Sequence, residues 1–156
     1  MPQEAPPEEL TALEDAGHPD ATDADCVMVI AAHDRAVLMV MHAQRRRWEL
    51  PGGALEPGEG ARMCAERELR EETGQETSSL ELRAFARLRD ASGCEHGALI
   101  FAGDVTELRP FPRNGETSSV LLWRGEAGAD IDPVAGVIAR HVLRQRRAQP
   151  EEDTSD

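Results

Sequence analysis

Between Ala61 and Thr73 the chain reads ARMCAERELREET, a segment with helical periodicity whose inward side changes character halfway along. A helix that packs on a sheet carries one apolar stripe from end to end. Here the stripe begins with Ala61, Cys64 and Ala65, which fall within about 100° of one another at 3.6 residues per turn. Further up the same side stand Glu68, Leu69, Glu71 and Glu72. Glu68, Glu71 and Glu72 are spaced i, i+3 and i+4, so three like charges share one face and repel unless a cation sits among them. The opposite side, Arg62, Glu66 and Arg70, alternates in sign as a solvated face does, and Glu66 reads as surface. One reading is a glutamate-rich helix end left in water. The other is a site for an oxygen-preferring divalent cation, magnesium or manganese, which takes carboxylate oxygens together with water and substrate phosphate.

The flanking sequence predicts an α/β domain, a mixed β-sheet flanked by helices. Cys26–Ala32 and Ala36–Met41 are β-rich runs joined by a turn at His33-Asp34-Arg35, a hairpin pattern. Trp48-Glu49-Leu50 is a short extended piece ending at a Pro51-Gly52-Gly53 turn, from which the acidic helix follows. Gly74 stands where a left-handed C-cap is expected. Leu80–Leu88 alternates as a strand with Leu80, Leu82, Ala84, Ala86 and Leu88 on one face. Gly97–Val105 and Ser119–Arg124 are two further strands. A closing helix spans Pro133–Arg147, with Asp132 as N-cap and Val134, Val137, Ile138, His141 and Val142 as its buried stripe.

The formal charge of −13 is concentrated at the ends of the chain. Residues 1–25 hold eight acids and no base, residues 151–156 hold four acids and no base, and the segment between them is nearly neutral. Residues 1–24 read as a disordered acidic, proline-rich arm with a helical turn near Pro7–Asp15, residues 25–148 as the domain, and residues 149–156 as a disordered acidic tail. An acidic chain does not grip long nucleic acid through its backbone. No run is long and apolar enough to span a membrane and no signal peptide opens the chain, so the expectation is a cytoplasmic protein. Cys26, Cys64 and Cys94 are widely spaced and odd in number, fitting small apolar fillers in a reducing compartment. All 17 basic residues are arginine, so any phosphate bound by a side-chain cation is bound by a planar donor fork.

From Gly53 there are five residues to Glu59 and seven more to Arg67; Glu68, Leu69, Glu71, Glu72 and Gly74 follow at fixed spacing. This pattern resembles the signature of the Nudix hydrolases at every fixed position but the last, where Gln75 replaces an aliphatic residue. The preceding Trp48-Glu49-Leu50-Pro51-Gly52 is similar to the family's approach to that motif. The resemblance implies the Nudix α/β/α sandwich and hydrolysis of a phosphoanhydride in a nucleoside diphosphate linked to another moiety, with Mg2+ or Mn2+ as cofactor. By position it makes Glu68, Glu71 and Glu72 metal ligands, with the Gly52 carbonyl as a further one. Arg67 is implied to orient the carboxylates, with Glu59 as its ion-pair partner, and Gly53 and Gly74 to serve the turn and the cap. The general base is left open between Glu71 and Glu116, the latter in the loop before the last strand. Arg45, Arg46 and Arg47 are candidates for substrate phosphates.

Markers of several Nudix subfamilies are absent: the chain has no tyrosine, and Asp90-Ala91 stands where a proline of the ADP-ribose hydrolases is expected. What remains is similar to the small bacterial MutT-like type, acting on (deoxy)nucleoside triphosphates or modified nucleotides. Phe85, Phe101, Phe111, Trp48 and Asn114 are the candidates for base recognition. The rival expectation is a Nudix-fold regulator that binds a nucleotide without turnover. Either form is expected as a monomer or a homodimer.

Overall fold

The structure is a computed structural model and describes residues 8–16, 24–42, 45–111, 117–126 and 130–148. In chain order the strands are β1 (Glu9–Asp15), β2 (Ala24–His33), β3 (Ala36–His42), β4 (Trp48–Glu49) and β5 (Gly52–Ala54). Helix α1 (Ala61–Thr73) follows, then β6 (Glu81–Arg89), β7 (Glu95–Asp104), β8 (Thr117–Trp123) and α2 (Pro133–Ala148). All strands belong to one mixed sheet of order β1-β6-β7-β2-β3-β4, with β5 paired to β2 and β8 to β3. The pairing of β2 with β7 is parallel and the other strand pairings are antiparallel.

Alternation along β2 divides the core into two layers. Ile30 faces the cluster beneath α2, with Met39, Ile100, Ile138 and Val142. Val27, Val29 and Ala31 face the cluster beneath α1, with Cys64, Ala65 and Leu69. Helices on both faces of a mixed sheet make the α/β architecture expected from the sequence.

The β2–β3 connection is a two-residue turn with φ of 45° at Asp34 and 66° at Arg35. Positive φ at both central positions is the twist that a tight hairpin requires. β2 stays beside β3 only at Ala32–Val37 and His33–Ala36. Further back, Cys26, Val27 and Met28 pair with Ala54, Gly53 and Gly52 of β5. The sheet therefore opens between β2 and β3, and β5 enters the gap. Pro51-Gly52-Gly53, expected to be a turn, instead runs into a strand, with Gly52 and Gly53 already part of β5. Its glycines serve close contact: a Cβ on Gly52 would lie 2.1 Å from the Val27 carbonyl oxygen, and one on Gly53 would lie 2.4 Å from Glu68 Oε1.

Two further expectations are corrected. Residues 9–15 of the supposedly disordered arm form β1, an outer strand antiparallel to β6. The acids there stay outward while Leu10 and Leu13 pack on the α2-side core, and β6 supplies the hydrogen-bonding edge. Residues 1–7 and 149–156 lie outside the described residues. The single face expected of Leu80–Leu88 is broken by a register shift between Leu82 and Ala84. One extra residue reverses the parity of a strand. Leu80 and Leu82 accordingly face α1, whereas Ala84, Ala86 and Leu88 face α2.

Asp132 caps α2 by accepting from the Ala135 N–H at 3.1 Å. The stripe of α2 is rotated from the expected one: Val134, Ala135, Ile138, Ala139 and Val142 are buried, and Val137 is 48% exposed. His141 Nε2 lies 2.6 Å from Asp15 Oδ1 and so helps to hold the end of β1.

Gln75, the departure from the motif, is fully buried. Its Nε2 donates to the Thr73 carbonyl (2.9 Å) and the Arg109 carbonyl (2.8 Å), and its Oε1 accepts from the Arg109 N–H at 2.8 Å. The amide thus clips the 105–111 segment to the end of α1 where an aliphatic residue would only pack. Gln75→Leu leaves those backbone groups without partners and should lower stability by about 2 kcal/mol in denaturant unfolding; unchanged stability would contradict this role.

Candidate active site

α1 is placed by its termini and its stripe. Its C-terminus is closed by Gly74 in the left-handed conformation (φ 75°), whose N–H reaches the Arg70 carbonyl at 2.9 Å. Its buried residues are Cys64, Ala65, Leu69 and Thr73. The apolar stripe therefore runs the full length of the helix through small side chains, and the carboxylates flank it. Glu68 and Glu72 lie along the side that faces β5.

Arg67 organises this side. Its Nε donates to Glu59 Oε2 at 2.7 Å and its Nη2 to Glu59 Oε1 at 2.9 Å, a bidentate fork that charge-assisted pairing favours. Nη1 donates to Glu68 Oε1 at 3.0 Å and to Glu71 Oε2 at 3.2 Å. Nη2 also reaches the Ala54 carbonyl at 3.4 Å, tying the helix to β5. Glu72 is held separately: its Oε2 accepts from the Gly52 N–H at 3.0 Å. Exposure then sorts the acids. The Glu68 side chain is 13% exposed and that of Glu71 is 54% exposed, so Glu68 sits against Gly53 while Glu71 stands at the solvent edge.

The electrostatics follow from these contacts. Hydrogen bonding from Arg67 lowers the Glu59 carboxyl from its ordinary value of 4.5 to about 2, assisted by the Glu56 N–H. The same pairing raises the Arg67 guanidinium above its ordinary range. Burial, then the neighbouring Glu59, pushes the Cys64 thiol up to about 12, so this cysteine stays protonated.

Gly52, Gly53 and Glu72 line a cleft of about 590 Å³. Arg45 and Arg47 also line it; Arg46, with φ of 53°, does not. Arg45 pairs with Glu49 at 3.0 Å and Arg47 with Asp132 at 3.8 Å. Asp132, Val134 and Ala135 bring the start of α2 to the same wall. Glu116 and Asn114 lie outside the described residues. Of the four aromatic candidates for base contact, none lines the cleft. Phe101 is in the α1-side core, Phe85 and Trp48 pack against the two clusters, and Phe111 is exposed.

Glu8 and His96, which sequence reasoning did not single out, line the cleft on its β1 side. Their signal is a register: Leu88 pairs with His96, and Glu9 with Arg89, which brings the residue before β1 beside β7.

With Glu59 titrating lower in the folded protein than in the unfolded chain, its contribution to stability is complete above the ordinary carboxylate range. It is lost as pH falls toward the folded value. The melting-temperature gap between the wild type and Glu59→Gln should stay constant near neutrality and close as pH drops from about 4.5 to about 2; a gap independent of acid would contradict the Arg67 pairing.

A sequence profile of the NUDIX domain matches residues 20–147. No significantly similar sequence was found among curated proteins. Solved structures of similar fold include a point mutant of the Bacillus subtilis pyrophosphohydrolase BsRppH, with TM-score 0.69 and 22% identity over 89% of this chain and 90% of that one. The NUDIX domain of Shewanella oneidensis NrtR, complexed with ADP ribose, has TM-score 0.68 and 18% identity over 85% and 95%. An Ap4A hydrolase of C. elegans, solved as a binary complex, has TM-score 0.68 and 14% identity over 81% and 99%. The chain belongs to the NUDIX domain family.

Proposed function

We propose that this chain hydrolyses a phosphoanhydride bond in a nucleoside diphosphate linked to a further group, with (deoxy)nucleoside triphosphates or modified nucleotides as substrates. The observation that carries this reading is the set of carboxylates Glu68, Glu71 and Glu72, held by Arg67 and the Gly52 N–H beside a cleft of about 590 Å³ that also contains two arginines. A purely structural helix end has no need of three flanking acids, two of them sharing an arginine.

The donor chemistry fits a hard divalent cation: three carboxylates, with the Gly52 carbonyl on the adjoining strand, offer oxygen only. Among the described residues no three His, Cys, Asp or Glu side chains are gathered as a ready metal-binding group. Glu68 and Glu71 turn toward Arg67 and Glu72 toward Gly52, as carboxylates do when a fixed cation or N–H is their nearest partner. In this reading Glu68, Glu71 and Glu72 hold Mg2+ or Mn2+, with Arg67 keeping them within reach. Held by these residues, such an ion would supply neutralisation of phosphate charge and a lowered pKa for the attacking water. Arg45 and Arg47 attract and orient phosphate oxygens from the cleft wall. Glu71 or Glu116 takes the proton of the water, and the pH–rate profiles of Glu71→Gln and Glu116→Gln decide between them.

The testing experiment is a nucleotide panel with magnesium or manganese and mass identification of products. Turnover of at least one nucleotide is expected, reduced at least ~10³-fold in Glu72→Gln with the fold retained. Near-wild-type turnover in that variant would overturn the metal assignment. Absence of any product, with a nucleotide still raising the melting temperature, would make the domain a binding module.

A further inference from the structure

We propose that Glu8, the residue that leads into β1, completes one end of the substrate cleft and, supported by His96, selects a guanine-type base there. This rests on the nucleotide-hydrolase reading above and names the substrate class within it.

Sheet order separates the two ends of the cleft. Glu8 immediately precedes β1 at one edge of the sheet, and Arg45 and Arg47 immediately precede β4 at the other edge. Five strand steps lie between them, on the order of 24 Å at about 4.8 Å per step before twist shortens the path. The cleft is lined from both ends. The Arg45 and Arg47 end, next to Gly52, Gly53 and Glu72, suits phosphates. Acids line both ends, Glu8 and Asp90 toward β1 and Glu49 and Asp132 beside the arginines, but arginines stand only at the β4 end, close to Glu72, which is assigned above to the cation. A nucleotide is therefore oriented with its base toward β1.

The chemistry at that end is specific. His96 Nε2 lies 3.3 Å from Glu8 Oε1, and the Glu8 side chain is still 42% exposed. A carboxylate offers about four lone-pair sites, so this contact leaves acceptors available. Asp90 is oriented by its own turn, where its Oδ1 accepts from the Ser92 N–H, the Ser92 hydroxyl and the Cys94 N–H. Two adjacent N–H donors on one base edge satisfy a carboxylate, and guanine presents them at N1 and N2. Adenine sets a ring-nitrogen acceptor beside its amino group, and uracil or thymine flanks its one N–H with carbonyls. Both arrangements place lone pairs against the carboxylate. His96 is the sole ring among the described residues lining the cleft and gives the base a flat surface.

The strand that carries Glu8 is firmly placed. Leu10 and Leu13 pack on the core. At the far end Asp15 Oδ1 meets His141 Nε2 at 2.6 Å and Gln145 Nε2 at 3.1 Å.

The test compares GTP with ATP, by kcat/KM with magnesium, and GDP with ADP, by calorimetric binding, in the wild type and Glu8→Gln. Guanine preference is expected in the wild type. In Glu8→Gln kcat/KM for GTP should fall at least ~10-fold, chiefly through KM, with ATP changed less than ~3-fold and the melting temperature unaltered. A wild type without guanine preference, or a variant that keeps it, overturns the proposal. Calorimetry separates the two readings. Guanine-selective binding that Glu8→Gln abolishes supports this inference even if no nucleotide is turned over, whereas turnover without that selectivity sinks this inference alone.

Discussion

The guanidinium of Arg67 is the contact on which the acidic side of α1 depends. Glu59, Glu68 and Glu71 all accept from it, and so does the backbone of β5 at Ala54. Three carboxylates gathered on one side of α1, Glu59 from the approach to the helix and Glu68 and Glu71 from the helix itself, would otherwise repel each other and turn into water. A planar fork with five donors serves several acceptors in fixed directions, which a lysine ammonium does not. The low value to which the Glu59 carboxyl is pushed is the counterpart of that geometry.

The sheet supplies the other half of the arrangement by opening between β2 and β3. β5 enters the gap, and its two glycines have no Cβ because the Val27 carbonyl and the Glu68 carboxylate already occupy that space. The Gly52 N–H can then hold Glu72. Helix, strand and cleft wall are in this way fixed to one another within a few residues; a side chain at Gly52 would force β5 from β2, and one at Gly53 would displace the Glu68 carboxylate.

Sequence reading succeeded where the determining contacts are local. The bounds of α1, the left-handed Gly74 and the pairing of Arg67 with Glu59 depend on spacings within about two helical turns or on a short loop. It failed where the partner is distant in the chain. β1 looked disordered because the acids and prolines of residues 1–24 dominate the composition around it, while the edge that pairs with it lies in β6. The split face of Leu80–Leu88 depends on a bulge that periodicity does not reveal. Glycines taken for a turn are a strand whose need for small residues arises from Val27 and Glu68. The aromatic residues proposed for base contact went to the core or the outer surface, and the cleft took Glu8 and His96 in their place.

The central claim is that the acids on the β5 side of α1 form a cation site and are more than an acidic surface. Manganese binding to the full chain tests it directly, by calorimetry or by the paramagnetic signal of the free ion. Glu68→Gln should weaken binding at least ~10-fold, and Glu66→Gln, on the opposite side of the same helix, should leave it unchanged. Equal weakening by the two substitutions, or no saturable binding in the wild type, would contradict the account.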